Sequence, residues 1–416
     1  MSNQKICLFC GNHIDLVPAM LRSQLDTYLC SLCIDKAYEG LHKAELGSFS
    51  EFDPEKLASI KPIDIFNHLQ EYVIGQTKAK RAISTAVYNH YKKVRHAIAK
   101  NGLELEKSNM IMAGPTGVGK TYLWRVAAKF LGVPFSQADA TTLTQAGYVG
   151  DDVENVLVRL YQKTSDKLPQ AERKRLTEMG IIFIDEIDKI SRKGESQSLT
   201  RDVSGEGTQQ ALLKLLEGSA CTIPADPHPG GRKHPEQKVI EINTQNILFV
   251  VGGAFVGLED IIGKRTSSKT MGFGAETKSS KKEKAGAMFK QVIVDDFVKY
   301  GMIPELMGRL PIITTLEDLT EEDMTKILTE PKNALLKQFK AMFEMDGQKL
   351  VVEKGAVQQI VLKALERNTG ARGLRGVVEE VLEDVMFEAP SNDCKEVVIT
   401  EAMVKEKLGK TSKIAA

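Results

Sequence analysis

A run of residues 109–113, apolar from Met110 on, leads straight into Gly114, Pro115, Thr116, Gly117, Val118, Gly119, Lys120 and Thr121. A G-x4-G-K-[ST] loop between a strand and a helix lets backbone N–H groups close around phosphates. The helix opening near Lys120 aims its positive end at the same place. The pattern assigns Lys120 to the β- and γ-phosphates of a nucleotide and Thr121 to Mg2+. A chance glycine-rich turn would lack the correct element on each side.

A second apolar run, Ile181, Ile182, Phe183 and Ile184, ends in Asp185 and Glu186. Carboxylates at the end of a buried strand belong beside the phosphate loop, where Asp185 can orient the Mg2+ shell. Glu186 is placed to polarise an attacking water as general base. An acidic pair alone says little, because exposed pairs are common; the four apolar residues ahead of it supply the weight. A third run covers residues 247–252. All three are continuous rather than alternating, as expected for strands buried on both faces. Amphipathic helical stretches separate them, so residues 63–314 are expected to be an α/β parallel-sheet P-loop domain. A lysine- and serine-rich insertion, residues 264–284, is expected to be a surface loop.

From residue 319 the pattern is wholly helical. Thr320, followed by Glu321, Glu322 and Asp323, caps a helix expected to bury Met324, Ile327 and Leu328. Further faces are Ile360, Leu362 and Leu365, then Val377, Val378, Val381, Leu382 and Val385. Residues 315–416 are therefore expected to be a small α-helical domain. No internal repeat is visible and there is one phosphate loop, which implies a single ATPase module.

Six cysteines are present, and four of them form two CxxC pairs, Cys7 with Cys10 and Cys30 with Cys33. Two such pairs bring four thiolates to one point, as tetrahedral Zn2+ needs. A unit of residues 1–46 cannot bury enough apolar surface to fold alone, whereas structural zinc contributes roughly 10–16 kcal/mol. Two disulfides, or a redox CxxC, are the rival readings and suit a cytosolic unit with two such pairs poorly. Cys221 and Cys394 read as buried small apolar residues. A Ser-, Glu- and Pro-containing stretch, residues 47–62, reads as a linker.

The 56 basic and 55 acidic residues nearly cancel, leaving a formal charge of +1, so nothing calls for nucleic acid or an anionic membrane as partner. The first ten residues hold no apolar stretch of the kind a secretory leader needs. Residues 247–258 are too short and glycine-broken to cross a bilayer. A reducing cytoplasm is the expected location.

With both halves of the nucleotide site placed, the chain resembles the ClpX family of AAA+ unfoldases, which feed the ClpP peptidase. The resemblance runs over nearly the whole length. It is carried by the cysteine module, Tyr72-Val-Ile-Gly-Gln76, Ala86-Val-Tyr-Asn-His-Tyr91, Ala138-Asp-Ala-Thr-Thr-Leu143 and Gly147-Tyr-Val-Gly-Asp-Asp-Val153. It continues through Val203-Ser-Gly-Glu-Gly207, Gly230-Gly-Arg-Lys-His234, Ile303-Pro-Glu305 with Gly308-Arg309, and Gly370-Ala-Arg-Gly-Leu-Arg375. The related HslU unfoldase lacks such a cysteine module.

The resemblance implies a homohexameric ring that hydrolyses ATP between neighbours to unfold and translocate proteins. Its implied partners are a ClpP-type peptidase, unfolded or tagged substrates and adaptors, with chaperone activity when the peptidase is absent. Val73 and Ile74 would lie against adenine. Arg309 would be the finger reaching the neighbour's γ-phosphate, and Arg372 the second sensor; taken alone, either would read as an ordinary surface residue. Residues 247–253 offer no assignable first sensor. Tyr148 and Val149 would grip the substrate in the pore, on a loop anchored by the apolar stripe Val153, Val156, Leu157 and Leu160. Residues 203–207 would be a second pore loop, and Arg232, Lys233 and His234 a basic pore entrance. Met271, Gly272 and Phe273 stand where the family carries an Ile/Leu-Gly-Phe docking tripeptide. The Met keeps the apolar bulk, yet the departure leaves room for a motor without a peptidase. A nucleic-acid motor is the third alternative, and the balanced charge counts against it. Tyr122 and Trp124, unusual on the phosphate-loop helix, read as packing residues.

Overall fold

Strands without a polar face have to be covered twice, and the chain does so. The computed structural model describes residues 6–22, 27–34, 57, 59–98, 103, 105–144, 151–192, 203–224, 239–266, 288–367, 369–391 and 395–414. Within them β1 (Met110–Ala113), β2 (Phe135–Asp139), β3 (Ile181–Asp185), β4 (Leu248–Gly253) and β5 (Ile312–Thr315) form one sheet. Their order is β5-β1-β4-β3-β2, and every neighbouring pair is parallel. Alternate residues feed opposite cores, as the pleat requires. Ile111, Ile182, Ile184, Phe249 and Val251 enter one core, and Met110, Met112, Ile181, Phe183, Leu248 and Val250 the other.

The second of these cores is closed by α1 (Pro62–Tyr72), α2 (Thr77–Ile98) and α3 (Lys120–Leu131). Helix α2 buries Ile83, Val87, Tyr91 and Val94, a spacing that keeps all four on one face. Leu57 and Ile60, within the stretch read as linker, are buried in the same core. Trp124 of α3 is fully buried there, its indole N–H directed at the Met112 sulfur of β1. The lone tryptophan therefore braces the phosphate-loop helix against the strand that precedes it.

On the other face lie the helix Asn155–Tyr161 and α4 (Val203–Glu217), the latter burying Leu212, Leu215 and Leu216. Val153, Val156, Leu157 and Leu160 are all buried in that core, as their stripe suggests. Cys221, expected inside, is only half-buried, because it lies on the two-stranded antiparallel ribbon Ala220–Pro224 with Val239–Asn243 rather than in the sheet. Cys394 falls outside the described residues.

The C-terminal part has its own core. α5 (Glu321–Thr329) opens with a reciprocal box: Thr320 Oγ1 accepts the Asp323 N–H at 3.1 Å and Asp323 accepts the Thr320 N–H at 3.1 Å. Met324 and Leu328 are buried and Ile327 packs at their edge. In α6 (Lys354–Glu366) the expected face needs correction: Leu362 is exposed, and Val357, Ile360, Val361 and Ala364 are buried. Two residues beyond Ile360 is more than half a turn away, so Leu362 cannot share its face. α7 (Ala371–Glu388) buries Val377, Val378, Val381 and Leu382, with Val385 packed against them. The part is not wholly helical, since β6 (Lys349–Val352) and β7 (Glu396–Ile399) pair in parallel among the helices. Each is too short to show a period. Among the described residues no helix is long and apolar enough to cross a membrane.

Candidate nucleotide site and cysteine cluster

The carboxyl ends of β1 and β3 open on the same edge of the sheet, separated only by β4. A crevice at that edge is where open parallel sheets bind ligands. Here it is a cavity of about 440 Å³ whose lining includes Thr116, Gly117, Gly119, Lys120, Thr121, Asp185, Glu186 and Arg372. Gly117 and Gly119 take left-handed backbone angles, φ 80° and 96°, that let the loop turn tightly into α3. Lys120 is buried, and its Nζ donates to the carbonyls of Gly114 at 2.6 Å and Pro115 at 2.8 Å. Burial holds its pKa below the ordinary lysine value, with Asp185 and Asp188 opposing the shift. Val118 is buried under the loop.

Thr121 Oγ1 donates to Asp185 Oδ2 at 3.1 Å, and Asp185 Oδ1 accepts the Glu186 N–H at 3.0 Å. Glu186 sits at φ 58° and ψ 31°, a left-handed conformation that costs a non-glycine residue about 1 kcal/mol or more. The turn sets Glu186 on the cavity wall beside Lys120 instead of continuing the strand. A hydroxyl and two carboxylates together are oxygen donors suited to Mg2+ and to a polarised water.

Arg372 comes from the C-terminal part, which touches the phosphate loop directly. The Ala371 N–H donates to Gly117 O at 3.1 Å. A Cβ on Gly117 would lie 2.3 Å from Thr369 O, and one on Gly370 2.9 Å from Thr116 O. Only glycine on both sides permits this approach.

Other expected residues lie apart from the cavity. Val73 is buried and Ile74 half-buried, and neither lines it. Their turn is held firmly. Val73 O accepts Lys80 Nζ at 2.6 Å, and the fully buried Lys80 also bonds Gln70 Oε1. Gln76 pairs with the Glu317 backbone through both its amide atoms, at 2.8 and 2.9 Å. Arg309 is also away from the cavity, at the end of the helix Pro304–Gly308, with Nε 3.1 Å and Nη2 2.9 Å from Glu217 Oε1. Val203 to Gly207 open α4. Tyr148, Val149, Arg232, Lys233, His234, Met271, Gly272 and Phe273 lie outside the described residues.

Some lining residues were not foreseen: Tyr122, Arg125, Gln137, Asp188 and Lys189. Asp188 is buried, and its Oδ1 accepts the Ala254 N–H at 3.2 Å just past β4. β4 itself carries no polar side chain, so Asp188 is the polar group presented at its end. Three-residue spacing from Asp185 into a tight turn was the available signal.

At the N-terminus the antiparallel pair Met20–Arg22 with Tyr28–Cys30 brings the CxxC pairs together. The four sulfurs of Cys7, Cys10, Cys30 and Cys33 lie within 4.8 Å of one another, with Cys10 and Cys30 3.6 Å apart. All four are free thiols. Zn–S bonds of about 2.3 Å in a tetrahedron need sulfurs about 3.8 Å apart, so the cluster fits zinc. Cys7 and Cys30 are buried, and Cys7 Sγ accepts the Cys30 N–H at 3.3 Å.

Comparison with known proteins adds sequence relationships to this geometry. Residues 105–313 match the family model of the AAA domain (Cdc48 subfamily), and residues 319–399 that of the C-terminal, D2-small domain of ClpB protein. The chain is 47% identical to the "ATP-dependent Clp protease ATP-binding subunit ClpX" of Treponema denticola, over 97% of its own length and 95% of the relative's. It is 46% identical to the protein of the same name from Bacteroides fragilis, over 99% and 97% of the two chains.

Proposed function

The chain belongs to the ClpX family of AAA+ proteins, and from that premise we propose that it is the ATP-hydrolysing subunit of a hexameric unfoldase that threads proteins into a ClpP-type peptidase. The observation that carries this is the single cavity in which the phosphate loop, the Asp185–Glu186 pair and Arg372 of the C-terminal part converge. ATP is the substrate. Lys120 binds its terminal phosphates, and Thr121 with Asp185 would hold Mg2+, which when bound neutralises phosphate charge. Glu186 takes the proton of the attacking water as it adds to the γ-phosphorus, while the bond to the β–γ bridging oxygen breaks and ADP leaves. Arg372 reads the nucleotide from the small domain, and Arg309 acts on the ATP of the neighbouring subunit. Arginine suits both posts because its charge is permanent and its donors fork.

In this reading residues 63–314 are the ATPase domain, joined by Leu57 and Ile60 of the stretch 47–62, which pack into its core; 315–416 are the small domain and 1–46 a zinc-binding module. Four thiolates leave Zn2+ no open position, so the metal is structural. Val73 and Ile74 contact adenine. Tyr148 and Val149 grip the substrate, Arg232, Lys233 and His234 attract its carboxylate end, and Met271, Gly272 and Phe273 dock the peptidase. The protein works in the cytoplasm on tagged or adaptor-delivered chains.

Glu186→Gln tests the chemistry. ATP binding should persist while turnover falls about a hundredfold to ten-thousandfold; wild-type turnover would remove Glu186 from the mechanism. Met271 motivates a second reading, a chaperone working without a peptidase. Adding ClpP and following a tagged fluorescent protein separates the two: degradation that needs Phe273 favours the first, and unfolding without degradation the second.

A further inference from the structure

Arg309 is not a free side chain. Its Nε and Nη2 converge on one oxygen of Glu217, at 3.1 and 2.9 Å, from the last residue of α4. Those two donors share one edge of the guanidinium plane. The opposite edge, with Nη1 and the second Nη2 hydrogen, is turned away from Glu217. A carboxylate placed in this way fixes the plane of the fork without covering the edge a phosphate would use.

The end of α4 is itself anchored. Leu215 O accepts Thr244 Oγ1 at 2.9 Å and Lys107 Nζ at 3.3 Å, and Leu216 O accepts Asn109 Nδ2 at 3.2 Å. The same Asn109 amide donates to Arg309 O at 3.0 Å. One side chain therefore ties the backbone beside Glu217 to the backbone of Arg309. Lys107 is itself fixed over the Phe249 ring, 4.5 Å from its centre. Last-turn carbonyls of a helix need such partners, and here the partners also hold the acid in register with the arginine.

We propose that Glu217 is the positioning residue for Arg309: it orients the guanidinium that stabilises charge on the neighbouring subunit's ATP. The proposal rests on the reading of Arg309 as a finger acting between subunits. Glu217 and Arg309 are both about half exposed, at 48% and 54%. The pair is therefore worth little to folding, and its value lies in orientation. Neither residue lines the cavity of its own subunit, so the defect of a Glu217 variant falls on the neighbour.

Mixed rings test this. Glu217→Ala alone should lower ATP turnover about fivefold, the scale of one exposed ion pair, with nucleotide affinity unchanged. Wild-type, Glu217→Ala and Arg309→Ala subunits are then each diluted into a large excess of Glu186→Gln subunits. Every diluted subunit thereby receives an intact arginine from its neighbour. Turnover per diluted subunit should become equal for all three. If Arg309→Ala is restored and Glu217→Ala is not, Glu217 acts within its own subunit and the proposal is overturned. If Arg309→Ala is not restored either, the finger reading fails and takes the proposal with it. Wild-type turnover in undiluted Glu217→Ala rings also overturns it.

Discussion

Thr121 Oγ1 donates to Asp185 Oδ2 at 3.1 Å, joining the first turn of α3 to the end of β3 although β4 lies between β1 and β3. The contact exists because both strands end at the same level of the sheet. A hydroxyl and a carboxylate held this close share one ligand more readily than two.

Asp185→Asn keeps the shape of that pair and removes its charge. Phosphate release at saturating ATP and Mg2+ should fall about a hundredfold or more. Thr121→Ser, which keeps the hydroxyl, should retain most of the rate, and Thr121→Ala should not. Equal rates for the Ser and Ala variants would show that the hydroxyl has no part.

Gly370 sits at φ 60° and ψ −149°, a region that side chains scarcely enter, with Thr116 O 2.9 Å from where its Cβ would be. Gly370→Ala should push the small domain off the phosphate loop. Strain of about 1–3 kcal/mol should appear as a rise of about tenfold in the KM for ATP. Gly376→Ala on the same helix, whose Cβ would meet only Arg367 Nη1 at 3.7 Å, is the control and should leave KM unchanged.

Lys80 is fully buried behind the Val73 turn, and burial lowers its pKa to about 8 from 10.5. Between those two values the unfolded chain binds more protons than the folded one, so stability rises with pH across the window. Below about pH 8 both states are protonated and the full desolvation penalty is present. Urea midpoints for wild type should therefore gain on those of Lys80→Met from pH 8 to pH 10. A constant difference would mean that Lys80 stays charged in the fold.

The cysteine cluster predicts about one zinc per chain. Cys7→Ser with Cys30→Ser should abolish metal content, measured by elemental analysis, and leave basal ATP turnover within about twofold. Metal retained by the double variant would place it elsewhere.

Most of the candidate nucleotide site was legible because its residues are consecutive. A strand, a glycine loop and a helix need no distant partner to be recognised, and the run 181–186 repeats the logic. Asp188 escaped notice because it becomes polar machinery only where β4 ends in Gly252 and Gly253 and no side chain competes. In sequence Leu362 reads as part of a buried face because apolar residues two apart resemble one until the helical turn is applied. The short strands β6 and β7 carry too few residues to declare a period.

The local chemistry was legible from the chain alone: a glycine loop between strand and helix, acids at the end of an apolar run, and two closely spaced pairs of thiols. Covalent neighbours settle such features, and their geometry follows from backbone rules. Only folding brings Arg372 to the cavity through a Gly117–Gly370 contact, turns Arg309 to Glu217 and sets Lys80 behind the Val73 turn. Those relationships join residues far apart in the chain, and they exist only once burial of three separate cores has fixed the elements against one another.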